Sequence, residues 1–223
     1  MNAMTSPRSR RRPDALSKER IVATATEMLD ADGEDALTLR ALAARLKTGA
    51  GALYWHVANR DELLAAATEN VVAGVVAAAS AEDDPRTAIR AIALGTFDAV
   101  DAHPWVGAQL GREPWSATLR LLEGLGGNVA RMGVPEAAQF NSSTALLNFV
   151  LGAAGQNAAN ARLVPPDADR SAFLEVVVAQ WTSRDPAEYP FVHRIAGHLR
   201  DHDDREQFLA GVDLILAGMA AER

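Results

Sequence analysis

No cysteine occurs in the 223 residues. That absence excludes disulfides, iron–sulfur clusters, thiolate zinc sites and cysteine nucleophiles together, and it suits a reducing compartment. Aromatic residues are scarce at 5%, and of 22 basic residues only Lys18 and Lys47 are lysines. The arginine bias is read as GC-rich codon usage and not as chemistry. No apolar run approaches the roughly 20 residues that a membrane span requires. The basic stretch from Met1 to Pro13 lacks the apolar core of a secretion signal. The expectation is a cytoplasmic protein with no membrane partner.

Alanine, the best intrinsic helix former, makes up roughly a fifth of the chain. With 48% hydrophobic residues, the length fits one compact protein or two small domains with a proper core. An all-α fold is expected. The formal charge of −7 argues, as a total, against nucleic acid, because neutralisation of phosphates by Lys and Arg dominates that affinity. The distribution reverses the inference. Residues 1–60 hold ten basic and seven acidic side chains, a local +3, and the remaining twelve basic and 22 acidic ones leave −10 beyond. Acidity therefore confines DNA to one end of the chain.

Residues 1–16, with Arg8, Arg10, Arg11 and Arg12 among Ser and Pro, have no periodicity and read as a flexible basic arm suited to minor-groove or phosphate contact. Ser17 caps a first helix whose apolar face is Ile21, Val22, Ala25, Met28 and Leu29, and Gly33 ends it. Thr38 caps a second helix of about two turns, striped by Leu39, Leu42 and Leu46. After the break at Lys47-Thr48-Gly49 a third short helix covers Ala50 to Val57. Asn59 and Glu62 form a capping box for a long helix through about Ser80. Further helices are expected at about Pro85 to Ala102, after Pro104, and over Trp115 to Met132, Pro135 to Ala161, Asp169 to Ser183, Pro190 to Leu199 and Asp204 to Ala220. Pro and Gly serve as punctuation.

The segment Thr38 to Val57 has the build of a helix-turn-helix: a positioning helix, a tight break, and a short helix that can enter the major groove. Leu53 and Val57 are i,i+4 and can be buried together, which turns Tyr54, Trp55 and His56 outward toward phosphates and sugars. Gly49, Ala50, Gly51 and Ala52 let the backbone approach DNA, and the Ala50 and Ala52 methyls can touch thymine.

Residues Ser17 to Leu64 resemble the DNA-binding domain of the tetracycline-repressor (TetR) family of transcriptional regulators. The matching elements are Arg20-Ile21 with Ala25, Gly33, Leu37 to Ala43, Ala52-Leu53-Tyr54-Trp55-His56-Val57, and Asn59-Arg60-Asp61-Glu62-Leu63-Leu64. Tyr-Trp-His-Val is the variant of the tetracycline repressors and their close relatives; most of the family has Tyr-x-His-Phe. The resemblance implies phosphate contacts from Tyr54, His56 and Arg60, backbone approaches from Thr38 and Arg40, and base contacts from Lys47, Thr48, Gly49, Ala50, Gly51 and Ala52. Two positions depart from the pattern: Lys47 stands where Gly usually ends the second helix, and Gly49 where Ser or Thr usually caps the third.

Residues 65–223 are expected to form an effector-binding and dimerisation domain. Phe208, Val212, Ile215 and Met219 share one face of the last helix, and Phe208-x-x-Gly211-Val212-Asp213-x-Ile215-Leu216-x-Gly218 resembles the last helix of tetracycline-repressor-like C-terminal domains. The resemblance implies a homodimer in which this helix and Pro135 to Ala161, with Gly152, Ala153 and Gly155, pair with their copies. The alternative is that both helices fill an intrachain core. Residues that can line a cavity for a largely apolar small-molecule effector are Phe97, His103, Trp105, Trp115, Phe140, Asn141, Asn148, Phe149 and Trp181. His103-Pro104-Trp105 matches a motif common in related domains, and for each of these residues core packing is the competing reading.

Other chemistry reads weakly. His193, His198 and His202 with Asp201 and Asp203 are assigned to a solvated face, and Gly124-Leu125-Gly126-Gly127 lacks the third glycine of a dinucleotide fingerprint. No cofactor, resident metal or enzymatic activity is expected. The sequence thus predicts an N-terminal three-helix helix-turn-helix domain joined by a long helix to a larger helical domain. In function it predicts a DNA-binding regulator, most simply a repressor released by a small molecule, with an activator or a helical small-molecule carrier as alternatives.

Overall fold

The computed structural model describes residues 16–161 and 169–221. The basic arm, with Arg8 to Arg12, lies outside the described residues. Among those described there are eleven α-helices and no strand. The chain divides into two compact units, residues 1–67 and 68–223.

In the first unit α1 spans Lys18–Asp32, α2 Leu39–Arg45 and α3 Ala50–Leu53, and α4 (Arg60–Ala79) begins there and runs into the second unit. The caps follow from the sequence. The Ser17 hydroxyl accepts from Arg20 N at 3.3 Å and Thr38 from Ala41 N at 3.1 Å. Gly33 ends α1 at φ 78°, a conformation that costs glycine almost nothing. At α4 the Asn59 carboxamide accepts from Glu62 N at 2.8 Å, while Glu62 reaches back to Ala58 N at 2.7 Å, one residue before the position a capping box uses. Ile21, Ala25, Leu37, Leu42, Leu53, Leu63 and Val57 close this small core. Each such aliphatic side chain contributes about 1.5–3 kcal/mol by leaving water.

In the second unit α5 (Pro85–Ala102), α7 (Ser116–Arg131) and α8 (Glu136–Ala161) pack together around Ile89, Ile92, Leu121, Leu125, Leu146 and Val150. The short α6 (Pro104–Gln109) joins α5 and α8 at one end. Next come α9 (Arg170–Thr182), α10 (Pro190–Ile195) with a 3-10 turn over Ala196–Leu199, and α11 (Asp204–Ala221). Asp84 caps α5 by accepting from Thr87 N at 2.8 Å, and Pro85 starts the helix. At Gly211 a Cβ would overlap the ring of Phe149, so any larger residue would force that ring or α11 to shift.

The face of α11 made by Phe208, Val212, Leu216 and Met219 is buried inside the chain. Its other side leaves Ala210, Leu214, Ala217 and Gly218 open, with Leu214 75% exposed. One outer strip of α8 is similarly open and uncharged: Phe140, Asn141, Ala145, Asn148, Gly152 and Gly155.

Among the described residues α4 alone has the length and apolar content of a membrane span. This differs from the expectation that no stretch comes near that length, because only Thr68, Glu69 and Asn70 interrupt the run from Leu63 to Ala79. Leu63, Leu64, Ala67, Val72 and Ala79 are buried in protein, which accounts for part of the apolarity, and the rest of the window is half-buried or exposed.

Candidate nucleic-acid interface and ligand cavity

The third helix is shorter than the expected Ala50 to Val57. Its regular part ends at Leu53, and a hydrogen-bonded turn carries the chain on: His56 N and Val57 N both donate to Leu53 O, at 2.8 and 3.0 Å. Glycine at 49 supplies no side-chain cap, and Gly51 weakens the helix by about 1 kcal/mol relative to Ala. The turn keeps Leu53 and Val57 inside while Tyr54 and Trp55 stand 59% and 89% exposed. A burial-driven core would not leave a tryptophan in this state. His56 is half-buried at the same edge.

Around these aromatics the residues at 47–52 are small or exposed, so the backbone of the turn is open to a partner. Lys47 sits between α2 and α3 in the left-handed region at φ 54°. Its amide still closes the helix end by donating to Ala44 O at 3.1 Å, and Thr48 N donates to Ala43 O at 2.9 Å. The chain thus holds a β-carbon where glycine is usual, and the ammonium group is exposed with no ion pair among the described residues. Arg40, on α2, is likewise exposed and unpaired among the described residues. Thr38 is exposed at the start of α2, its oxygen used in the cap and its O–H free to donate.

Arg60 does not stand with this exposed set. Its Nε donates to Leu37 O at 3.0 Å and its NH2 to Glu34 O at 2.6 Å, with the Glu34 carboxylate 3.8 Å away. The guanidinium ties the start of α4 to the 3-10 turn at Glu34–Ala36 and to Leu37, just before α2.

In the second unit a cavity of about 690 Å³ opens between α5, α8, α9 and the start of α11. Of the nine candidate cavity residues it brings together Phe97 and Trp181. Phe149 stands behind this wall, stacked on Phe208, whose ring also meets Phe97 at 4.8 Å. Trp105 is buried in α6 and His103 half-buried beside it, their rings 6.0 Å apart. Trp115, Phe140, Asn141 and Asn148 are exposed and do not line the cavity. The reason for the last three is helical phase: they share the outer strip of α8. Trp115 begins α7 in the left-handed region at φ 55°, with its ring turned out.

The charged rim of the cavity is where composition gave least guidance. Arg205 grips Asp98 with two bonds, at 2.9 and 2.7 Å, which raises the arginine pKa further above its ordinary value. Arg170 meets Asp204 at 2.7 Å, and His202 Nε2 lies 2.7 Å from the same carboxylate. His202 is thereby drawn half into the protein, whereas the histidine-rich segment reads as solvated in sequence. Among the described residues no three metal-ligating side chains converge.

An exposed aromatic and basic turn on a buried two-residue anchor, in a unit separate from a cavity-bearing helical domain, defines a helix-turn-helix regulator. The family description "Bacterial regulatory proteins, tetR family" matches residues 21–67, and "Tetracyclin repressor-like, C-terminal domain" matches residues 78–223. An HTH-type transcriptional regulator of Saccharopolyspora erythraea is 30% identical over 217 residues, covering 96% of this chain and 88% of that protein. A class G tetracycline repressor protein of Vibrio anguillarum is 46% identical over 54 residues, 24% of this chain and 26% of that one. Among solved structures, the TetR regulator SCO7222 of Streptomyces coelicolor is 52% identical with a TM-score of 0.84, covering 93% of this chain and 99% of that one. ActR of the same organism, in complex with actinorhodin, is 26% identical with a TM-score of 0.73, covering 92% and 96%. The chain belongs to the TetR family of bacterial transcriptional regulators.

Proposed function

We propose that the protein is a transcriptional repressor that binds a pseudo-palindromic operator as a homodimer and leaves it when a small molecule occupies the second unit. The observation that carries the DNA-binding half is the burial of Leu53 and Val57 beneath a 59% exposed Tyr54 and an 89% exposed Trp55. In this reading Tyr54, Trp55 and His56 meet phosphates and sugars, joined by Arg40 and the Thr38 hydroxyl, and the exposed Lys47 ammonium, which the resemblance placed among the base contacts, is assigned to a phosphate instead, while the backbone and methyls of Thr48 to Ala52 approach base edges. Arg60 acts mainly as a positioning residue through its bonds to Leu37 and Glu34.

The dimer is supported by two open, uncharged strips. Burying the Leu214 side of α11 and the Phe140 to Gly155 strip of α8 against a second copy covers two exposed large apolar side chains, Leu214 and Phe140, on otherwise small and uncharged surface. Two-fold symmetry then requires two half-sites about one helical turn, or a near multiple, apart. Release is supported by the cavity and by the relative ActR, whose structure is a complex with actinorhodin. A ligand shifts the equilibrium only by binding the DNA-competent and the released forms with different affinity. The element common to both units is α4.

DNase I footprinting of the region flanking the protein's own gene tests the reading. It expects protection of a pseudo-palindrome. A uniformly unprotected region at micromolar protein and low salt contradicts it.

A further inference from the structure

We infer that the cavity of the second unit selects a planar aromatic molecule carrying a positive charge. This inference rests on the effector reading above and specifies its chemistry. One wall is apolar and aromatic, with Phe97, Phe173 and Trp181 facing the space together with Leu174 and Val177. Rings of this kind take a flat ligand by stacking, and they favour a cation over a neutral molecule because the ring face is electronegative.

The rim decides the sign of the charge. Among the described residues it carries four carboxylates, Asp98, Asp101, Asp203 and Asp204, against two guanidiniums, Arg170 and Arg205. Both guanidiniums are already spent, Arg205 on Asp98 and Arg170 on Asp204. An anionic ligand would have to break one of these pairs to find a cation. His202 adds no free cation, since Nε2 faces Asp204. Asp203 is used at the start of α11, where it accepts from Glu206 N at 2.9 Å.

Asp101 is the exception. It has no ion pair and no side-chain hydrogen bond among the described residues, and it sits in the last turn of α5. A carboxylate there meets the negative end of the helix dipole, which is a locally unfavourable place for it. A cation in the cavity supplies what both the residue and the helix end lack. On the α8 side, Asn157 and Asn160 bring carboxamide oxygens with no hydrogen bond among the described residues, suited to N–H or O–H groups on the ligand.

The test uses two dyes that share a xanthene core, rhodamine 123 as cation and fluorescein as anion, titrated with the full-length protein and read by dye anisotropy. Rhodamine 123 is expected to bind saturably and at least about tenfold more tightly than fluorescein. Asp101→Asn is expected to weaken rhodamine 123 about fivefold, and Asp101→Lys to remove the preference; residue 101 is exposed, so both variants should fold as the parent does. Absence of saturable rhodamine 123 binding, tighter binding of fluorescein, or indifference to Asp101→Lys would overturn the inference. Operator release is measured separately. Rhodamine binding without release defeats the effector reading and leaves the ligand class standing, whereas release by an anion with rhodamine inert does the reverse.

Discussion

Val57 N donates to Leu53 O at 3.0 Å, and both side chains are closed to solvent, at 1% and 0% exposure. This single turn fixes the orientation of the three residues between them. Leu53→Ala removes a fully buried side chain from a small core and is expected to cost the first unit about 2–5 kcal/mol. Chemical denaturation followed by far-UV circular dichroism should show a weakened transition, with DNA binding lost in parallel. Unchanged stability would mean that Leu53 is not the anchor.

Tyr54→Phe deletes only a hydroxyl from an exposed ring. Because a phosphate contact carries no sequence information, affinity for operator and for random DNA should fall by a similar factor. Fluorescence anisotropy on the two duplexes checks this. A loss confined to one base position would assign Tyr54 to base reading.

Lys47 pairs a backbone cost with a free charge. Lys47→Gly relieves the left-handed strain and is expected to raise stability by about 1 kcal/mol, while DNA binding weakens and the slope of affinity against salt drops by about one phosphate contact per protomer, about two for the dimer. Stability and affinity should therefore move in opposite directions. If both rise, the lysine has no part in binding.

The cap at Asp84 gives a pH signature. Its carboxyl is held below the ordinary value of 3.8, first by the Thr87 backbone bond and then by the Thr87 side chain. A depressed folded-state value means that the cap's ionic contribution is complete above the unfolded value and is lost as pH falls through the folded one. The stability gap between the parent and Asp84→Ala should be constant near neutrality and close below about pH 4. A gap that widens on acidification would contradict this cap.

Helix positions were largely legible because the punctuation is local. Ser17, Gly33, Thr38, Asn59 and Pro85 act within four residues of themselves, and the structure uses each as a cap or start. Apolar spacing carries the expected third helix to Val57, beyond its end at Leu53, because such spacing marks which residues are buried and not whether the backbone between them is α-helical. The cavity was only partly legible. Phe97 and Trp181 line it, but Phe140, Asn141 and Asn148 lie on the open side of α8. An apolar helix with two apolar faces gives no phase by which to tell a wall from an outer strip. The rim pairs Arg205 with Asp98, 107 residues apart in sequence, and no local pattern predicts such a contact.

The proposed DNA binding rests on a modest cluster of basic and aromatic groups at one end of an acidic chain, acting through phosphates. The most direct measurement is affinity for the footprinted duplex between 50 and 200 mM salt. With about six phosphates neutralised by the dimer, affinity should fall roughly a thousandfold over this range. An affinity that stays constant would contradict the account.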